Sequence, residues 1–138
     1  MSHKLGFIIP DLWAQCSFPT VLHPKAAAIE LESDQWILGH CPRNQKSLLR
    51  IIPSLRSGAL AGYCYNNCSD DRFRGICDFI AVLFLLDDIT DELDPENTDV
   101  FKDIIANALN DPSSYRPGMT DGIEHPKEEP DASRVVRE

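Results

Sequence analysis

The sequence predicts an all-α chain. Three observations carry that reading: apolar residues recur at helical spacing, prolines and glycines punctuate them at intervals suited to helices, and no alternation of apolar and polar residues is long enough for a strand. With 138 residues and 43% apolar content the chain can form one domain with a modest core, since about two-thirds of the unfolded surface is buried at this size.

Residues 1–23 read as an extended leader, because Pro10 and Pro19 break any helix there. A helix follows from about 25 to 38, with Ile29, Trp36 and Ile37 on one side and an end near Gly39. A second helical pattern spans Pro42 to about Arg56, placing Leu48, Leu49 and Ile52 on one face, and Pro53 should kink or restart it. Gly58 and Gly62 punctuate the short stretch that follows. Ser69, with Asp70 and Asp71 behind it, is a good N-cap for one long helix that runs through the apolar stretch Ile76–Leu86 and is stopped by Pro95. Because that stretch is apolar on nearly every face, the helix should be buried centrally. Asn97 or Thr98 can cap one more helix that ends before Pro112. Beyond it, prolines at 112, 117, 126 and 130 stand among polar residues without apolar period, which predicts a disordered tail over 112–138 and leaves 24–111 as the helical domain.

The net charge is −9. Residues 1–86 carry 8 Lys+Arg against 7 Asp+Glu, and residues 87–138 carry 5 against 15. The acidic excess therefore begins at an aspartate cluster. No Lys/Arg run could track a phosphate backbone, so nucleic acid is an unsuitable partner. The longest apolar run is interrupted by Asp78 and falls far below the ~20 residues of a bilayer span, and the apolar patch before Pro10 is too brief for a secretory signal. The five cysteines, odd in number and several within apolar segments, suit a reducing, cytoplasmic setting. Cys64, Cys68 and Cys77 lack the fourth ligand of a structural zinc site and read as reduced, buried thiols.

The cluster itself holds Asp87, Asp88, Asp91, Glu92 and Asp94 at the end of the long helix. Acids are disfavoured at a helix C-terminus by some tenths of a kcal/mol each, and like charges one turn apart add repulsion. A solvated acidic helix end explains the charge but not its abutment to an apolar helix interior. Asp87 and Asp91 fall on one face, and the same stripe is read backward through Leu83 and Phe84 to Phe79 and Ile80. Magnesium takes one or two carboxylates and completes its octahedron with water and phosphate oxygens, so carboxylates capping an apolar wall suit a hydrocarbon chain with a diphosphate head. A calcium loop begun at Asp87 or Asp88 puts Glu92 or Leu93 where its sharp turn requires glycine, and that reading fails.

The chain resembles the fungal, mushroom-type sesquiterpene synthases of the class I terpene synthase fold. The resemblance rests on F-I-I-P-D-L at Phe7 to Leu12, His23-Pro24, E-S-D-Q-W-I at Glu32 to Ile37, and C-D-F-I-A-V-L-F-L-L-D-D-I-T-D-E at Cys77 to Glu92, and it covers about Phe7 to Asp111. It implies an incomplete class I helical barrel and an enzyme that binds farnesyl diphosphate through magnesium ions, ionises it by loss of diphosphate and cyclises the carbocation. By that resemblance Asp87 is the main Mg2+ ligand, Asp91 supports it, Asp88 and Glu92 are outer or alternate groups, and Phe84 and Phe79 line the cavity, where aromatic faces stabilise cations. The family's second metal motif, N-D-x-x-S-x-x-x-E, is not securely present: Asn110, Asp111 and Ser114 match, but Gly118 replaces the glutamate and Pro112 breaks the helix. Tyr115 and Arg116 stand in the wrong order for the family's Arg-Tyr pair. The expectation is a truncated chain, weakly active or inactive alone, with exposed apolar helix faces open to association. The alternative is a non-catalytic helical fragment that associates with a full-length synthase or is degraded.

Overall fold

A computed structural model describes residues 8–42, 45–115, 119–120, 123–124 and 126–138. Residues 1–7 of the leader, with Phe7 of the first resembling segment, lie outside the described residues, as do Arg116, Pro117, Gly118 and His125.

Among the described residues of the leader one turn is helical, α1 (Leu12–Gln15), where the Ala14 N–H donates to the Asp11 carboxylate at 3.1 Å. Helix α2 (Ala26–His40) follows His23-Pro24, whose histidine is buried. The His23 ring stacks on Phe73 with centroids 4.0 Å apart. Its Nδ1 accepts from the Lys25 N–H at 3.2 Å, so Nε2 carries the proton and donates to the Cys68 carbonyl at 3.2 Å. Asn66 donates to the Val21 carbonyl at 3.0 Å, and Lys25 pairs with Asp70. The end of the leader is thus stitched to the loop before the long helix.

Helix α3 (Gln45–Leu55) contains Pro53 without breaking, because the helix ends two residues later and few backbone bonds are lost. Arg56, at φ 52, turns the chain into α4 (Ser57–Cys64). The stretch punctuated by Gly58 and Gly62 is therefore a helix, and its glycines serve packing. A Cβ on Gly58 would stand 2.9 Å from the Ala26 carbonyl oxygen, and one on Gly62 would stand 2.6 Å from Leu22 Cδ1. With Ala61 fully buried between them, α4 approaches α2 closely.

Helix α5 (Asp70–Asp91) begins after Ser69, as the sequence predicts. It packs chiefly on α2 and α4, and less on α3. Phe73, Cys77, Ala81 and Leu85 form its buried face. Phe73 and Cys77 join Ala26, Ile29 and Ala61 in one core cluster, whereas Ala81 and Leu85 join Ile37, Cys41, Leu48, Ile52 and Val135 in another. Arg74 adds polar ties, donating to Asp78 at 2.8 and 3.0 Å and to Glu32 on α2 at 3.3 Å. The expected central burial of α5 is corrected: Phe79 is 62% and Leu83 48% exposed. Among the described residues its neighbours cover one side of the helix, so an apolar second side faces outward.

Helix α6 (Pro95–Asn110) starts earlier than its apolar pattern suggests, with Asp94 as N-cap and Pro95 in the first position. A two-residue antiparallel hairpin follows, β1 (Met119–Thr120) pairing with β2 (Ile123–Glu124). Helix α7 (Asp131–Arg137) then packs on α6, with smaller contacts to α2 and α5. This corrects the disordered-tail expectation over its final stretch. Polar composition hid a short helix anchored by Ala132 and Val135, the latter 2% exposed. No helix among the described residues is long and apolar enough to cross a membrane. The all-α class holds, the hairpin apart.

The close α2–α4 approach predicts that Gly58→Val overpacks the contact and lowers unfolding free energy by about 2 kcal/mol, measured by urea denaturation. Asp34, half-buried on α2, has its carboxyl pushed up to about 6 by burial and then by Glu30. Its folded value exceeds the ordinary carboxylate value near 4, so the native state binds more protons in between and stability falls as pH rises through that window. Asp34→Asn should raise the melting temperature at pH 7, with the gain shrinking as pH drops from about 6 towards 4.

Candidate metal and diphosphate site

The last turn of α5 and the turn into α6 arrange the five clustered carboxylates. The Thr90 hydroxyl donates to the Asp87 carbonyl at 2.9 Å, the Glu92 N–H reaches Ile89 O at 3.3 Å, and the Leu93 N–H reaches Thr90 O at 3.2 Å. These tightened bonds satisfy helix-end carbonyls. Asp94 is drawn out of the cluster. Its Oδ1 accepts from the Asn97 N–H and its Oδ2 from the Asn97 side chain, each at 2.9 Å, and these bonds hold its carboxyl below the usual range.

The other four, Asp87, Asp88, Asp91 and Glu92, are exposed, and no basic side chain among the described residues pairs with them. Helical geometry of about 100° per residue divides them. Asp88 and Glu92 rim a cavity of about 550 Å³ walled by Leu48, Ile51, Leu85, Ile89, Phe101 and Ile104. Asp87 and Asp91 are absent from that lining and exposed, Asp87 one turn above the exposed Leu83, whereas Ile80 packs inward against the Phe73–Cys77 cluster.

The two phenylalanines also part company, though not along the division of the acids. Phe79 lines a second, apolar groove of about 300 Å³ with Trp36, Val82, Leu83, Leu86 and Leu109. Phe84 is half-buried and lines neither cavity. Five residues apart, they stand about 140° from each other around the helix, so the single stripe expected to carry both is corrected to two. The Asp88–Glu92 cavity rim was the feature sequence reading passed over. Its signal was the i, i+4 spacing of those two acids above Leu85.

Among the described residues no group of three or more His, Cys, Asp or Glu side chains could enclose a metal ion. An open mode, in which one or two carboxylates hold a cation and water or phosphate supplies the rest, needs no such group. Thiols offer no alternative site. All five cysteines are free, and burial pushes Cys41 and Cys77 up to about 11, where a thiolate is scarce. Of the three considered for zinc, Cys77 is buried, Cys68 half-buried and Cys64 exposed.

No protein-family model matches the chain. It is, however, similar to "Sesquiterpene synthase Agr3" of Cyclocybe aegerita, 36% identical over 134 residues, covering 96% of this chain and 37% of that protein. It is 37% identical over 112 residues to "Alpha-muurolene synthase" of Coprinopsis cinerea, covering 81% of the chain and 26% of that protein. "Sesquiterpene synthase 3" of Postia placenta is 36% identical over 106 residues, covering 77% and 29%. The chain therefore spans about a quarter to a third of the length of these curated relatives. The first alignment reaches into residues 112–138, beyond the segment on which the resemblance rested.

The bonding of Asp94 predicts that Asp94→Ala lowers the melting temperature by a few degrees through loss of the α6 cap, measured by differential scanning calorimetry.

Proposed function

We propose that this chain, a homologue of part of the length of fungal sesquiterpene synthases, carries in its α5 carboxylates one half of a magnesium-diphosphate site for farnesyl diphosphate or a similar prenyl diphosphate. One observation supports this most: Asp87 and Asp91 are exposed on α5 above the exposed Leu83, with Asp88 and Glu92 on the neighbouring cavity rim, and no basic side chain among the described residues pairs with any of the four. Anionic side chains at a helix C-terminus are electrostatically costly, and a divalent cation offsets that cost.

Asp87 and Asp91 are the residues proposed to hold Mg2+, with Asp88 and Glu92 beside them. The ion would supply charge neutralisation for the departing diphosphate. The chain's own residues have two further tasks. The carboxylates would fix where the ion, and through it the diphosphate head, sits, and the apolar surface beneath would exclude water from the hydrocarbon and from a carbocation that water would quench. Phe79, exposed beside Leu83, is proposed to face that hydrocarbon, where its ring face favours positive charge, and Phe84, on the other stripe, is proposed to contribute packing only. Ionisation and cyclisation belong to the family reaction, and this chain alone is proposed to be weakly active or inactive, in a cytoplasmic setting. A second reading is a non-catalytic helical fragment that associates with a synthase. The exposure of Phe79 and Leu83 favours it, because large apolar patches promote association.

Calorimetry with inorganic pyrophosphate, with and without Mg2+, tests the half-site. Binding should require Mg2+ and weaken about tenfold or more in Asp87→Asn/Asp91→Asn, roughly 1.4 kcal/mol or more. Equal affinity with and without the metal would remove the half-site reading. Steady formation of cyclised hydrocarbon from farnesyl diphosphate and Mg2+ would overturn the expectation of weak activity.

A further inference from the structure

Helix α7 has seven residues, too few for a helix to persist alone in water, so it is held by what it touches. Val135 reaches the core cluster of Ile37, Leu48, Ile52, Ala81 and Leu85. The remaining hold is polar and unusually dense. Glu129, just before the helix, accepts from Arg137 through both oxygens, Oε1 from Nε at 2.6 Å and Oε2 from Nη2 at 2.8 Å. The same carboxylate accepts from the Ser133 hydroxyl at 3.1 Å and lies 4.0 Å from Arg134. Arg137 also donates through Nη1 to the Pro112 carbonyl at 3.1 Å, and the Tyr115 hydroxyl donates to the Pro126 carbonyl at 2.8 Å. Both ends of the segment are thereby tied to the chain just after α6.

One short helix also walls both cavities. Pro130, Asp131 and Ala132 close the cavity rimmed by Asp88 and Glu92. Val135, Val136 and Glu138 close the groove beside Phe79. Because α6 packs on α7 rather than directly on α5, lifting α7 would uncover the α5 linings of both cavities together.

We propose that residues 126–138 form a latch, with α7 as the bolt that closes both cavities at once and the bidentate Glu129–Arg137 pair as its catch. Paired, two-point contacts between guanidinium and carboxylate are stronger and more directional than single ones, and here both partners are largely shielded, at 17% and 14% exposure. Arg137 holds Glu129 below the usual glutamate range, as expected of a carboxylate bound in its charged form. Short elements docked at the edge of a core open as units well below the cost of global unfolding. The latch is thus a local equilibrium between covered and uncovered apolar surface, independent of whether the chain turns over substrate.

The full chain carrying Arg137→Glu tests this, with Glu129→Arg/Arg137→Glu as the charge-swapped partner. Fluorescence of an anilinonaphthalene sulfonate dye reports exposed apolar surface, and amide hydrogen exchange reports where the chain opens. The single variant should raise dye fluorescence several-fold and speed exchange in Asp131–Arg137, while amides of Phe73–Leu85 stay protected. The swapped variant should bring both readings back towards the unaltered protein. Unchanged fluorescence and exchange in Arg137→Glu would overturn the latch, because the catch would then hold nothing. Loss of protection in α5 together with α7 would overturn it equally, by showing that α7 is an inseparable part of the core. Failure of the swapped variant to recover would remove the Glu129–Arg137 pair as the catch.

Discussion

The packing of α5 against α2 and α4 is the contact on which the rest of the molecule depends. Four residues at intervals of four, Phe73, Cys77, Ala81 and Leu85, enter the two core clusters along one line. Small side chains at Gly58, Ala61 and Gly62 let α4 come close enough to complete the groove that receives its first half. Since interiors pack at near-crystalline density, this line fixes the rotation of α5. It thereby decides which acids look towards α3 and α6 and which look outward. The separation of Asp88 and Glu92 from Asp87 and Asp91 is a consequence of core packing rather than of anything at the helix end.

Much of the helical content was legible because its signals are local. Ser69 followed by two acids marks the start of α5, and the apolar spacing in α2 and α6 marks their middles. Helix α4 was not legible, because glycines that interrupt a helix by propensity are here selected for close approach between helices, which is a tertiary property. Helix α7 was missed for a different reason. Seven residues with one adjacent valine pair contain too little periodicity to stand out, and its hold comes from Glu129 and Pro112 outside the helix. The apolar run in α5 misled in the opposite direction. All-round hydrophobicity implies burial only when partners surround a helix, and the described residues supply them on one side.

At the acidic end, sequence spacing treated five carboxylates as one set. Geometry distinguishes three roles: Asp94 is a helix cap, Asp88 and Glu92 belong to a cavity rim, and Asp87 and Asp91 stand exposed above Leu83. Spacing could group residues by helical face but could not say which face the neighbours would cover. The proposed magnesium role draws on that exposed side, where hydrocarbon and anion could be accommodated together.

The stitching of the leader to the loop before α5 has a statistical consequence. The contacts Val21 to Asn66, His23 to Cys68 and Lys25 to Asp70 each join residues 45 apart in sequence. Bringing the ends of such a loop together costs about 3 kcal/mol of chain entropy, growing only with the logarithm of its length. That cost is incurred once, by whichever contact forms first. The other two then form between groups already held near each other, at the high effective concentration of tethered partners. Three individually modest bonds therefore act like the teeth of a zip, and rupture of any single one leaves the loop closed by its neighbours.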